Sequence, residues 1–186
     1  MPKLKVFNHV TLDGYFCDKN GDMSWAHARQ DAEWADFASS NARGGGKLLF
    51  GRVTYQMMAS YWPTPQAKAS MPVVADGMNN MSKVVFSRTL DKAEWQNTEL
   101  INTDPVAAVR KLKAESGPDM VIMGSGTIIA QLAAANVIDE YQLVLNPVAL
   151  GRGRTLFDGM DKQLNLTLRK QRAFGNGNLV LWYDAS

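Results

Sequence analysis

The chain is 186 residues long, 46% hydrophobic and 20% charged, and its 20 basic and 18 acidic side chains leave a formal charge of +2. That length and apolar content suit one compact domain and exclude a disordered chain, while so small a charge surplus leaves no electrostatic footprint for nucleic acid. One cysteine, Cys17, excludes a disulfide framework, and with only His9 and His27 beside it there are too few ligands for a cysteine- or histidine-rich metal centre.

Leu4–Leu12 is rich in β-branched and aromatic residues and stops at the turn pair Asp13-Gly14, which predicts a first strand. Nothing before it reads as a leader and no apolar run reaches membrane-spanning length, so a soluble cytoplasmic protein is expected. Asp31–Ala42 places Trp34, Phe37 and Ala38 at helical spacing. Lys47–Phe50, between Gly44-Gly45-Gly46 and Gly51, predicts a buried strand, and Thr54–Tyr61 predicts a helix just after it. The polar stretch Pro63–Asn80 reads as a surface loop. Lys83–Ser87 is another short strand. Asp104 and Pro105 then open a helix as N-cap and first residue, with Val106, Val109 and Leu112 as its apolar stripe. Met120–Met123 is a fourth strand, ended by Gly124-Ser125-Gly126, and Thr127–Asn136 is an almost uncharged helix. Tyr141–Asn146 predicts a strand before Pro147. Leu164–Lys170 and Leu179–Tyr183, joined by Gly175-Asn176-Gly177-Asn178, predict a C-terminal hairpin. Strand–helix alternation closed by a hairpin means one α/β domain over residues 1–186, with a mostly parallel sheet, helices on both faces and an antiparallel end.

Function concentrates where strands run into helices. Gly51-Arg52-Val53-Thr54 leaves a strand for a helix, so backbone N–H groups, a guanidinium and a hydroxyl converge where an anion is favoured. Gly124-Ser125-Gly126-Thr127 repeats the arrangement without a base. Ser87-Arg88, after a third strand, adds a hydroxyl and the guanidinium fork that suits phosphate. Neither glycine pair is a dinucleotide fingerprint, because Ile129 stands where a third glycine belongs, and no GxxxxGK[ST] loop occurs. Taken one at a time, each junction also reads as an ordinary tight turn. Three such strand ends in one open sheet, however, converge on the crevice where these folds bind ligands.

Gly51-Arg52-x-Thr54-Tyr55, Val84-Val85-Phe86-Ser87-Arg88 and Gly124-Ser125-Gly126-Thr127 occur in the order and spacing of the dihydrofolate reductase-like family. The opening Leu12-Asp13-Gly14-Tyr15 narrows the match, as does the run Val137-Ile138-Asp139-Glu140-Tyr141 through Pro147-Val148 and Leu150-Gly151-x-Gly153 to Leu156-Phe157. Together they resemble the reductase domain found C-terminally in the bifunctional riboflavin deaminase-reductase. The HxE…PCxxC signature of the deaminase half is missing.

The resemblance implies an NADPH-binding reductase of three-layer α/β fold, acting on a small heterocycle. The specific version reduces 5-amino-6-(5-phosphoribosylamino)uracil in riboflavin synthesis. Dihydrofolate, or NADPH binding without turnover, are the alternatives. Gly51, Arg52 and Thr54 would face the pyrophosphate, Ser87 and Arg88 the adenosine 2′-phosphate, and Gly124, Ser125, Gly126 and Thr127 the opposite wall. Met23 and Trp25 fall where the family carries a mobile Met-Pro-Trp loop, with Ser24 replacing the proline; both also suit a core. Phe37 would take a substrate-facing aromatic position, which puts Glu33, one turn earlier, forward as the acid, ahead of Asp36 and Asp31. Carboxylates at a helix start are also favoured by its dipole alone. Asp13 is a second catalytic candidate or a turn residue. Arg152, Arg154 and Lys68 are loose basic groups, His9 reads as a satisfied strand histidine, and Cys17 lacks a catalytic partner. A homodimer is implied too, with Val137–Leu150 as its interface.

Overall fold

The apolar runs pair as strands β1 (Leu4–Thr11), β2 (Lys47–Gly51), β3 (Ser82–Phe86), β4 (Thr98–Ile101), β5 (Met120–Ile122), β6 (Glu140–Asn146), β7 (Leu166–Ala173) and β8 (Leu179–Ala185) in the computed structural model, which describes all residues from Met1 to Ser186. They form one sheet in the order β4-β3-β2-β5-β1-β6-β8-β7. Neighbours from β4 to β6 run parallel, and β8 is antiparallel to both β6 and β7. The hairpin is therefore folded inward, its second strand lying against β6 and its first forming the edge.

Helices α1 (Ala32–Arg43), α2 (Arg52–Tyr61), α3 (Pro65–Ser70), α4 (Pro72–Asn80), α5 (Pro105–Ala114) and α6 (Gly126–Ala134) cover both faces. Val109 of α5 and Ile129 and Leu132 of α6 pack with Leu4, Val6, Leu49, Val84 and Ile122 on one side. On the other, Tyr55 of α2 and Val74 and Met78 of α4 pack with Leu48, Phe50 and Val85, while Trp34 and Phe37 of α1 cover Val144 and Val180. Alternation along each strand divides the two cores, as period-two geometry requires. No helix is long and apolar enough to cross a membrane.

Two points of the sequence reading are corrected. Pro63–Asn80 holds two helices, because its prolines start helices rather than break them. Thr64 caps α3 through Ala67 N, Pro65 and Pro72 occupy first-turn positions, and α4 buries Val74, Ala75, Met78 and Asn79. The four-residue strand β4 pairs with β3 although Thr98–Ile101 carries little strand signal of its own. β6 is flanked by β1 and β8, and Val137 and Ile138 are buried, so Val137–Leu150 presents no strand edge to a partner.

Two charged groups are enclosed. Lys83 Nζ donates to the carbonyls of Asn79, Met81 and Gln96 at 2.7–3.1 Å, and burial pulls its ammonium down to about 8. Glu140, at the start of β6, accepts from Lys3 at 2.8 Å and Arg169 at 3.1 Å, with Lys5 at 3.5 Å. Burial would raise its carboxyl, but the Lys3 hydrogen bond and the charges of Lys5 and Arg169 outweigh it and hold the group below the usual range.

The pairing of β1 creates the site. Its first half lies between β5 and β6, with Leu4–Val6 opposite Met120–Ile122. Beyond Val6 only β6 continues alongside, as far as Thr11 opposite Asn146. β5 ends at Ile122, so beyond it no strand separates β1 from β2, and the gap at the carboxyl ends of the strands is the crevice where open α/β sheets take ligands.

Candidate functional site

On one side of that crevice the three strand-to-helix junctions are neighbours. Gly51 is the register partner of Phe86, so Ser87 and Arg88 follow directly beside it. Its N–H donates to Gly124 O at 2.9 Å. With strands about 4.8 Å apart, the junctions after β3, β2 and β5 form one continuous ledge. The glycines permit this closeness. A methyl group on Gly51 would run into the Ser125 side chain, and one on Gly124 would lie 2.8 Å from Thr54 Oγ1. Gly51 and Ser125 are the N-caps of α2 and α6, and neither helix has a side-chain cap. Two sets of first-turn N–H groups thus point to the same place without a carboxylate or hydroxyl to satisfy them. Arg52 and Thr127 are exposed there, with Arg52 Nη1 resting on Gln56 Oε1 at 3.2 Å. Ser87 Oγ accepts from the N–H groups of Thr89 and Leu90 and keeps its own proton free to donate. Arg88 is exposed and unpaired.

The other side is polar and aromatic. His9 projects from the unaccompanied half of β1, with ring centroids 5.9 Å from Phe7, 5.8 Å from Trp34 and 6.1 Å from His27. Asn146 Nδ2 reaches His9 Nδ1 at 3.2 Å. Burial, then the charge of His27, brings the His9 imidazole down to about 4, and the exposed His27 is lowered too where its ring packs beside His9. The hairpin tip closes this end, where Asn178 is buried with neither side-chain polar atom bonded. Sequence reasoning set His9 aside and missed Asn146 and Asn178. The one legible signal was a strand ending in Asn-Pro.

Both carboxylates put forward for catalysis are occupied structurally. Glu33 Oε1 accepts from Arg172 at 2.9 Å and Oε2 from Gly175 N at 3.1 Å, which ties α1 to the hairpin. The Arg172 hydrogen bond, with help from Gly175, holds this exposed carboxyl below its ordinary range, which is the wrong direction for an acid. Asp13 accepts from Thr11 Oγ1 at 2.6 Å, Leu150 N at 3.0 Å and Gly151 N at 2.7 Å, and clamps the loop after β6 to the turn after β1. Its carboxyl is lowered too, first by Thr11. Phe37 is core rather than pocket lining, buried among Trp34, Phe174 and Trp182. Met23 caps the short helical turn Ser24–His27, while Trp25 is half-buried and outside all three apolar clusters, its Nε1 unbonded. Glu33→Gln is accordingly expected to leave turnover within about twofold at every pH and to lower the melting temperature only slightly, as befits an exposed ion pair. A pH–rate profile that loses its acid limb would restore Glu33 as the proton source.

A family profile described as the RibD C-terminal domain matches residues 2–180. The chain is 29% identical over 174 residues to the uncharacterized protein YyaP of Bacillus subtilis, covering 94% of this chain and 90% of that one. It is 24% identical over 176 residues to YwjB of the same organism, covering 93% and 92%. Among solved structures it is similar to a candidate riboflavin biosynthesis protein from Shewanella sp. PV-4, with a TM-score of 0.74, 22% identity and 99% coverage of both chains. It is also similar to the deaminase/5-amino-6-(5-phosphoribosylamino)uracil reductase of Thermotoga maritima, at 0.68 and 14%, where it spans 57% of the longer chain.

Proposed function

Because the chain belongs to the RibD C-terminal domain family, we propose that it is an NADPH-dependent reductase that passes hydride to a small heterocyclic substrate. The observation that carries this reading is the ledge on β3, β2 and β5. Two uncapped helix starts and two exposed guanidiniums meet within three strand widths, which suits a ligand with several phosphates. The residues fit the coenzyme. Gly51, Arg52 and Thr54 would hold its pyrophosphate with Gly124, Ser125, Gly126 and Thr127, and Ser87 and Arg88 would hold its 2′-phosphate. Bound NADPH supplies the hydride; the protein orients the substrate beside β1 and limits its exposure to water. The Thermotoga reductase's substrate, 5-amino-6-(5-phosphoribosylamino)uracil, is the first to test. The occupied carboxylates of Glu33 and Asp13 favour a second reading, NADPH binding without turnover. NADPH oxidation measured across pyrimidine and pteridine substrates, beside a fluorescence titration of NADPH, separates the two. Tight binding with no oxidation supports the second reading, and no binding at all defeats both.

Arg88→Ala is expected to weaken NADPH about 10- to 100-fold, the scale of one charge-assisted contact, and to change NADH by less than about twofold. Equal losses for the two coenzymes in the same titration would remove Arg88 from the 2′-phosphate.

A further inference from the structure

The crevice carries more hydrogen-bond donors than the protein satisfies, and one of them is aimed. Asn146 Nδ2 lies 3.0 Å from Val144 O and 3.3 Å from Val10 O, which fixes the amide with its nitrogen toward those carbonyls. The same nitrogen faces His9 Nδ1, and with one of its two protons shared between Val10 O and Nδ1 the ring nitrogen is the acceptor, which places the proton of the neutral imidazole on Nε2. His9 Nε2 has no hydrogen-bond partner within the protein, and the residue is only partly buried. Phe7 and Trp34 pack edge-on against the ring and restrict its rotation. Its position is on the half of β1 that β5 leaves uncovered.

We propose that His9 is a substrate-contacting residue, its Nε2–H donating a hydrogen bond to a carbonyl oxygen or ring nitrogen of a planar heterocycle held in the crevice beside β1. This deepens the reductase reading and rests on it. The chemical class follows from the inventory. His9 Nε2–H is a donor without a partner in the protein, so the ligand atom that meets it must be an acceptor, as a carbonyl oxygen of a uracil-type dione is. Desolvation keeps His9 neutral at ordinary pH, so it polarises the acceptor and retains its proton. With the coenzyme bound, this contact would hold the heterocycle in one orientation beside β1.

The test uses 5-aminouracil as probe, in the presence of NADPH, on the whole protein and on His9→Gln, His9→Asn and His9→Phe. Glutamine places an amide nitrogen near the Nε2 position; asparagine keeps only the Nδ1 side. The dissociation constant for 5-aminouracil is expected to rise about 10- to 100-fold in His9→Asn and His9→Phe and less than about threefold in His9→Gln. NADPH should raise the melting temperature of all four proteins equally. Imidazole 15N NMR of the wild type should show a neutral ring protonated on Nε2, whose resonance moves on adding the probe; this needs no variant to fold. Equal affinity of wild type and His9→Phe, an unmoved Nε2 resonance, or no binding of 5-aminouracil by wild type that NADPH does stabilise, overturns the role of His9 alone. Absence of any NADPH effect on the wild type overturns the reductase reading and this proposal together.

Discussion

Alanine at Gly124 is expected to lower both the stability of the protein and its affinity for NADPH. Gly124 has φ of +123°, a conformation that L-residues adopt with strain, and the added methyl would lie 2.8 Å from Thr54 Oγ1 on the neighbouring junction. The backbone contributes about 1–2 kcal/mol and the crowding about 1–3 kcal/mol more, since the α2 start cannot move without dragging β2. Gly21→Ala is the control, because Gly21 has φ of +88° and nothing within 4 Å of the new methyl. It should show only the backbone loss and leave NADPH affinity unchanged. Urea melts and coenzyme titrations on the two variants separate conformation from contact. If Gly124→Ala behaved like Gly21→Ala in both assays, the two junctions would not be in contact in solution.

A pronounced loss of stability in mild acid is the second large effect. The unfolded chain protonates His9 near the ordinary 6.5, whereas the folded protein refuses the proton until about 4. The unfolded state therefore binds more protons throughout that interval, so stability falls as pH drops from about 6.5 to about 4, by up to ~3 kcal/mol. His27 is shifted the same way but is exposed, so solvent screens most of its share. The carboxylates act later. Glu140 is held ionised by Lys3, Lys5 and Arg169, so its contribution is present above the normal carboxylate range and is lost only as pH falls through its depressed value. Denaturant midpoints against pH should decline in two stages, and His9→Gln should flatten the upper one alone. An unchanged slope between pH 6.5 and 4 in that variant would mean that His9 is charged in the folded protein.

The parts of this fold legible in the sequence were those whose cause is local. Met120–Met123 and Lys83–Ser87 announce buried strands by composition, and Asp104-Pro105 announces a helix start that the structure realises through Asp104 accepting from Ala107 N. The glycine junctions were legible for the same reason. What failed depends on partners distant in the chain. β4 is a strand only because β3 lies beside it, and α4 is a helix because its Val74 and Met78 find Leu48 and Phe50. Glu33 and Phe37 share a helix face, as their spacing predicted, but that face meets a hairpin 139 residues away, where Arg172 claims the carboxylate. His9 looked inert because Asn146, which sets its tautomer, is 137 positions distant.

The short partnership between β1 and β5 has a consequence for how such a protein can diversify. Only three register pairs join the two strands, and past them the ledge of glycine turns and the histidine wall belong to separate stretches of chain. Mutations at the hairpin tip, the first helix or the outer half of β1 can reshape the histidine wall without disturbing the glycine ledge. One scaffold is thereby free to vary what lies beside β1 while its anion-binding half stays constant.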